Sequence, residues 1–163
     1  MAFNARDLAV NGVRALQPYQ PGKPVEELER DLGLSDIVKL ASNENPRTSN
    51  EVIAKALAQQ QSDISRYPDG SGYALKIRLS DLLGVSTDQL TLGNGSNDVL
   101  ELLVRAFVCP GQGVVVSEHS FAVYSLAASA VGADLKTAPA RSWGHDLEAM
   151  LSLVDQNTRV VFI

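Results

Sequence analysis

The residues with the clearest capacity for chemistry form a polar loop at positions 93–98, which reads Gly-Asn-Gly-Ser-Asn-Asp. A β-like run at 90–92 precedes this loop, and a strongly apolar helical run at 99–107 follows it. Glycine lets the backbone approach a ligand closely, and the first-turn N–H groups of a helix face outward without intrahelical partners. Ser96 and Asn97 add neutral donors at the same place. The loop therefore predicts a phosphate site, although a capped helix entry after a tight turn explains the same residues equally well.

A tyrosine provides a second candidate, because Tyr124 stands at the start of a predicted helix just after a predicted strand at 114–117. In a parallel sheet, ligands bind at the carboxyl ends of the strands. Both Tyr124 and the 93–98 loop follow strands that are neighbours in sequence. A phosphate site beside an aromatic face suits a flat, phosphorylated ring, but Tyr124 is equally compatible with a core position.

Other site chemistries find little support. The position of the third glycine in G-x-G-x-x-G is occupied by Asp98, and no Gly-Lys-Ser/Thr segment is present. With only His119, His145 and Cys109 available, no cluster with metal-ligand spacing occurs, so no metal is predicted. His119 could serve as a base, but lone histidines are more often structural. Cys109 is expected to be a buried, inert thiol.

Composition and charge are those of an ordinary globular protein. The 163 residues are 45% hydrophobic, and the net charge is −5 without any block of like charges. A nucleic-acid or anionic-membrane surface is not predicted, since both call for a basic patch. A single cysteine allows no internal disulfide, and no signal peptide or membrane-length apolar run is present. A cytoplasmic location is the expectation.

The elements that position these residues alternate along the chain. Helices are predicted over residues 4–16, 25–32, 50–60, 73–83, 99–107, 122–131 and 146–154. Strands are predicted over residues 37–40, 90–92, 114–117, 135–138 and 160–163. This alternation indicates an α/β fold with a mostly parallel sheet and flanking helices. The apolar run 99–107 predicts a helix that is buried on most sides.

Two further stretches shape the expected organisation. Three prolines within residues 17–24 predict an extended arm that carries Tyr19 over a pocket or a partner subunit. At the other end, the apolar strand 160–163 has no helix to cover it, and an uncovered central strand is an aggregation hazard. The chain is therefore expected to be the front part of a longer protein.

Six segments together resemble one family. These segments are residues 18–24, 40–46, 66–70, 92–98, 121–124 and 144–147. In this order they resemble the N-terminal part of the histidinol-phosphate aminotransferases, which are pyridoxal-phosphate (PLP) enzymes of fold type I. The resemblance implies an N-terminal helix, arm and lead-in over residues 1–45. It also implies the first part of the PLP-binding large domain over residues 46–163.

The resemblance also implies roles for individual residues and an assembly. The residues that match the segment holding the PLP phosphate are Gly95, Ser96 and Asn97. Tyr124 matches the aromatic residue that stacks on the pyridine ring. Tyr67 matches a tyrosine that reaches the PLP phosphate of the partner subunit, which implies a homodimer. Tyr19 and Asn45 match segments near the substrate.

The implied reaction transfers an amino group between histidinol phosphate and 2-oxoglutarate in histidine biosynthesis, with PLP as electron sink and amino carrier. The loop after Asn45 is shorter than is usual in the family. The cofactor-binding lysine, the aspartate on the pyridine nitrogen and the carboxylate-binding arginine are expected beyond residue 163. None of the lysines in this chain matches the cofactor-binding lysine of the family. These lysines are Lys23, Lys39, Lys55, Lys76 and Lys136. The 163 residues alone are therefore expected to hold PLP weakly and to be inactive.

Three alternatives remain open. The substrate could be an aromatic amino acid, as in close relatives within the same family. The chain could instead be a non-catalytic, truncated paralogue that acts as a binding or dimerisation module. A nucleotide-binding α/β domain is the third reading, and the missing third glycine argues against it.

Overall fold

The computed structural model describes residues 4–19, 22–42, 44–45, 47 and 50–163. These residues form two compact units, one made of Met1–Tyr19 with Thr91–Ile163 and the other of Gln20–Leu90. The predictions for residues 20–21 of the proline-rich arm, and for residues 46, 48 and 49 of the shortened loop, lie outside the described residues.

Helices occupy the first half of the described chain, and its strands all begin at or after Gly113. The helices are α1 (Ala5–Leu8), α2 (Asn11–Arg14), α3 (Val25–Leu32), α4 (Glu51–Gln59), α5 (Tyr73–Leu83), α6 (Ser96–Phe107), α7 (Ala122–Ala130) and α8 (Leu147–Ser152). The strands are β1 (Gly113–Ser117), β2 (Asp134–Ala138), β3 (Ala140–Arg141), β4 (Gly144–His145) and β5 (Thr158–Val161). Single 3₁₀ turns lie at Gln61–Asp63 and Thr87–Gln89.

A parallel sheet forms the centre of the unit that contains residues 91–163. Its strand order is β2-β1-β5, and β1 pairs in parallel with both neighbours. Every residue of β1 is buried, so this apolar run is covered on both faces. The α/β class with a parallel sheet is thereby confirmed.

The two faces of β1 belong to different parts of the core. Val114 and Val116 pack with residues of α6 and α7, including Val104 and Ala128. Val115 points to the other face and packs with Ala138 and Met150, the latter on α8. This alternation is the two-residue period of a strand, and it places α6 and α7 on one side of the sheet and α8 on the other.

Local capping signals set several helix boundaries. α3 ends at Gly33 and α5 ends at Gly84, and both glycines adopt the left-handed conformation with φ of 63° and 67°. The side chain of Asn50 accepts a hydrogen bond from the Ile53 N–H and so caps α4. The helix predicted at 4–16 is instead two short helices, because Val10 adopts an extended backbone between them.

Two predicted strands are wrong. Residues 37–40 and 90–92 have no strand assignment, including the run that leads into the 93–98 loop. A strand needs a partner edge to satisfy its backbone groups, and the described residues place no such edge beside either run. The loop at 93–98 therefore follows an unpaired segment rather than a strand of the sheet.

Two burial predictions are also wrong. α6 is covered on one face only, since Val104 is fully buried while Phe107 is 66% exposed. Cys109 is exposed. It lies in a surface turn, where its N–H donates to Oε1 of Gln112 at 2.8 Å.

Candidate functional site

The loop before α6 has the geometry of a helix N-terminus with free donors. Gly95 adopts φ 83°, and α6 begins at Ser96 without a side-chain cap. Within the described residues, no acceptor is found for the backbone N–H of Ser96 or Asn97. A Cβ added to Gly95 would meet nothing within 4 Å, so the space beside the loop is open. Free N–H groups, open space and the positive end of the helix dipole fit a phosphate group.

The carboxylate of Asp98 stabilises this loop through a hydrogen bond to its backbone. Its Oδ2 accepts a hydrogen bond from the Asn94 N–H at 3.0 Å, while the Gly95 N–H donates to the Gly93 carbonyl at 2.9 Å. A Cβ on Gly93 would lie 3.1 Å from the same Oδ2 and 2.9 Å from Cγ2 of Val99. Sequence reasoning missed this role, although an acidic residue three positions into a helix commonly reaches back to the preceding loop.

Tyr124 is half-buried and one face of its ring is already occupied. It stacks on Phe162 with ring centroids 4.3 Å apart and planes 1° from parallel. It also packs against the apolar cluster of α6, α7 and β1. The core interpretation of Tyr124 thus has direct support, and its stacking on a cofactor ring stays a prediction that depends on the other face.

Phe121 is a second aromatic residue at this place, and sequence reasoning assigned it no role. It lies at the N-terminal boundary of α7, 40% exposed, with its ring edge-on to Tyr124 at 5.8 Å. Tyr19 packs edge-on against Phe121 at 6.4 Å. Tyr19, Phe121, Tyr124 and Phe162 therefore form an aromatic row. We call these four residues the aromatic row below.

The loop and α7, the helix that bears Tyr124, border a common groove. Asn97, at the start of α6, and Val123, at the start of α7, both line a groove of about 270 Å³. Leu16 of the N-terminal segment lines it as well. The structure thus brings the predicted phosphate donors near the helix that bears Tyr124, within one compact unit.

Tyr67 and Asn45 belong to the other unit, Gln20–Leu90. Tyr67 is fully exposed and borders an open groove of about 630 Å³ together with Leu57 and Ile64. Oδ1 of Asn45 accepts a hydrogen bond from the Arg47 N–H at 3.0 Å. An exposed tyrosine hydroxyl is free to meet another molecule, and the roles of both residues stay predictions.

The lysines with the shortest contacts are engaged in ion pairs. Nζ of Lys23 lies 2.5 Å from Asp31, Lys39 lies 2.7 Å from Glu44, and Lys136 lies 2.6 Å from Asp155. The hydrogen bond from Lys136, aided by one from Thr158, lowers the pKa of Asp155 to about 2. That no lysine of this chain holds the cofactor stays a prediction.

The structure also bears on metal binding and on base catalysis by histidine. No group of three or more potential ligands that could hold a metal ion occurs among the residues the structure describes. The ring of His119 packs on Trp143, with centroids 4.8 Å apart. No helix in the described part of the chain is long and apolar enough to cross a membrane.

Comparison with protein families gives a match over most of the chain. The model of the family described as "Aminotransferase class I and II" matches residues 35–163. Among curated proteins, "Histidinol-phosphate aminotransferase 2" of Pseudomonas fluorescens (strain Pf0-1) is 54% identical, over 100% of this chain and 45% of its own length. The protein of the same name from Pseudomonas aeruginosa is 52% identical, over 96% of this chain and 43% of its own length. The chain thus spans less than half the length of these relatives.

Solved structures give the same fold. The histidinol-phosphate aminotransferase of Sinorhizobium meliloti, solved in complex with pyridoxal-5'-phosphate, superposes with a TM-score of 0.78 at 25% identity. The match covers 93% of this chain and 40% of that one. The aspartate aminotransferase of Thermotoga maritima superposes with a TM-score of 0.65 at 20% identity, over 83% of this chain and 39% of that one. The predicted fold type I architecture is confirmed.

Proposed function

We propose that this chain, which belongs to the aminotransferase class I and II family, is the N-terminal portion of a histidinol-phosphate aminotransferase. The observation that carries the proposal is identity of 52–54% to proteins of that name along essentially the whole chain. The complete protein would exchange the amino group of histidinol phosphate with 2-oxoglutarate, giving imidazole acetol phosphate and glutamate. This reaction belongs to histidine biosynthesis, and the proposed location is the cytoplasm.

The proposed cofactor is PLP, which when bound supplies an electron sink and carries the amino group. In this chain, the free N–H groups of Ser96 and Asn97 and the open backbone at Gly95 bind its phosphate. Asp98 keeps the loop in the conformation that presents these donors, through its bond to Asn94. Because the net charge of the chain is −5, the attraction for an anion must come from these local donors.

The remaining site residues are proposed to orient the ring and the substrate. The aromatic row, through Phe121 and the face of Tyr124 opposite Phe162, forms an apolar wall that excludes water from one side of the cofactor ring. Tyr19, at the exposed end of the row, and Asn45 would face the substrate. Tyr67 would donate its hydroxyl to the phosphate bound by a second copy of the chain, so the active form is proposed to be a homodimer.

This assignment gives different segments of the protein different roles. Residues 1–45 are proposed to serve as the N-terminal helix, arm and lead-in, and residues 46–163 as the first part of the PLP-binding large domain. These 163 residues supply the loop that binds the phosphate and one wall of the site. The reacting lysine is proposed to come from a part of the protein that these 163 residues do not include.

The test is a transamination assay on the purified protein that carries this chain. Glutamate formation from histidinol phosphate and 2-oxoglutarate is expected, while the 163 residues expressed alone should release none. Phenylalanine and tyrosine serve as competing amino donors. Efficient transfer from these two, without transfer from histidinol phosphate, would contradict the proposed substrate. Turnover by the 163 residues alone would contradict the proposal that the reacting lysine lies outside them.

A further inference from the structure

The turn that leaves the central strand holds an unusual backbone conformation. β1 ends at Ser117, and the Ser120 N–H donates back to the Ser117 carbonyl at 3.2 Å. His119, between them, adopts φ 60°. Non-glycine residues adopt this region rarely and only where their surroundings fix it. The turn leads directly into Phe121, so its geometry determines where this member of the aromatic row lies.

Glu118 ties this turn to the neighbouring strand through two bonds. Its N–H donates to the Ala138 carbonyl at 2.8 Å, and its Oε2 accepts from the Ala140 N–H at 3.1 Å. Pro139 lies between these two positions and has no N–H, so the parallel ladder of β1 and β2 cannot continue there. The carboxylate of Glu118 takes the place of the next acceptor in the ladder.

The hairpin that follows returns to the same turn. β3 and β4 pair antiparallel, and the two residues that join them, Ser142 and Trp143, both have positive φ, at 52° and 67°. That combination is typical of a tight two-residue hairpin turn. The Trp143 ring then packs on His119 at 4.8 Å, with the two planes tilted by 32°. The hairpin therefore holds the turn at two adjacent residues, Glu118 and His119.

We infer that Glu118 is a positioning residue for the cofactor site, because its bond to Ala140 fixes the turn that places Phe121 and Tyr124. The inference rests on the proposed function. Its specific claim is that an acceptor at Glu118, rather than a negative charge, holds the turn. A glutamine keeps that acceptor and an alanine removes it.

The experiment compares Glu118→Ala and Glu118→Gln in the protein that carries this chain, with Glu148→Ala as a matched control. Glu148 is an exposed glutamate in the first turn of α8. Hydrogen exchange of the Ala140 amide, measured without PLP, should accelerate in Glu118→Ala and stay near wild type in the other two. Titration with PLP should show affinity weakened about three- to tenfold in Glu118→Ala, the equivalent of one hydrogen bond. The visible dichroism of the bound cofactor should change in that variant alone.

Each result bears on a different part of the inference. Equal losses in Glu118→Gln and Glu118→Ala would overturn it, since charge would then be the cause. Faster exchange at Ala140 with unchanged PLP affinity and dichroism would overturn it as well, because the hydrogen bond between Glu118 and Ala140 would then have no effect on the cofactor site. Failure of the wild-type protein to bind PLP would instead contradict the proposed function, while exchange at Ala140 would still decide whether Glu118 holds the hairpin.

Discussion

At the residue scale, the arrangement of charge in the 93–98 loop presents a physical conflict. A carboxylate beside a phosphate site opposes anion binding through its charge, yet the Asp98 carboxylate also holds the loop through the Asn94 N–H. The two effects have opposite signs, so they can be separated. Asparagine at position 98 retains an acceptor and removes the charge, whereas alanine removes both.

For Asp98→Asn we expect PLP affinity that is unchanged or tighter, and for Asp98→Ala we expect affinity weakened about three- to tenfold, as for one lost hydrogen bond. Equilibrium titration followed through the cofactor absorbance measures both. Asp134→Asn, at the amino end of β2, is the control for loss of one exposed negative charge. Tighter binding in both Asp98 variants would mean that the charge dominates and that the loop does not need the bond.

At the element scale, the N-terminal helix α2 is held against α7 by a close backbone approach. A Cβ on Gly12 would lie 2.0 Å from the carbonyl oxygen of Ser129. Because that atom is backbone, it cannot move aside as a flexible side chain would. Gly12→Ala should therefore displace α2, at a cost of about 1–3 kcal/mol, which is typical of overpacking.

Thermal unfolding and hydrogen exchange of the 11–19 region measure this effect. The expected result is a lower Tm and faster exchange in α2. Gly70→Ala is the matched control, since an added Cβ there meets nothing within 4 Å and its φ is not positive. An unchanged Tm for Gly12→Ala would show that the segment packs elsewhere.

A second prediction at this scale concerns acid stability. Asp155, just after α8, pairs with Lys136 of β2, and this contact lowers its pKa from 3.8 to about 2. Since the folded-state pKa is the lower one, the pair stabilises the fold fully above about pH 4 and loses that contribution as pH falls through 2. The free-energy difference between wild type and Asp155→Asn should therefore be constant at neutral pH and shrink between about pH 4 and 2. Chemical unfolding over that range measures it, and a difference that persists at pH 2 would contradict the ion pair as its source.

What could be predicted from the sequence depended on the range of the interactions. Gly33 and Gly84 end their helices and Asn50 caps one through contacts within a few residues, so local signals sufficed. The bond between Glu118 and Ala140 joins residues 22 positions apart and left no local signal. The prediction of a strand at 90–92 was wrong for the same reason. Strand formation depends on a partner edge, which a single apolar run of the sequence cannot reveal.

The candidate site divides in the same way. The free N–H groups at Ser96 and Asn97 follow from a glycine-rich turn before a helix, and they were expected. The covering of one Tyr124 face by Phe162 requires β5 to pair with β1, which only the folded sheet shows. Spacing placed an aromatic residue at the carboxyl end of β1, but it could not show that Phe162 covers one face of its ring.

At the scale of the whole molecule, the proposed site is shared between two copies of the chain. Tyr67 is fully exposed in its own unit, so Tyr67→Phe should leave Tm unchanged. If its hydroxyl binds the phosphate held by the partner, PLP affinity should fall about three- to tenfold. Light scattering should give the mass of a dimer for both the variant and the wild type.

Mixed dimers distinguish a shared site from a site within one chain. Tyr67→Phe keeps an intact phosphate loop, and Asp98→Ala keeps an intact tyrosine, so neither homodimer has a complete site. In a two-fold dimer with sites built from both chains, a hybrid of the two variants contains one complete and one doubly defective site. After random exchange of subunits, about one quarter of all sites should bind PLP with wild-type affinity. If Tyr67 instead served the loop of its own chain, every site in the mixture would stay defective, and no tight-binding fraction would emerge at any mixing ratio.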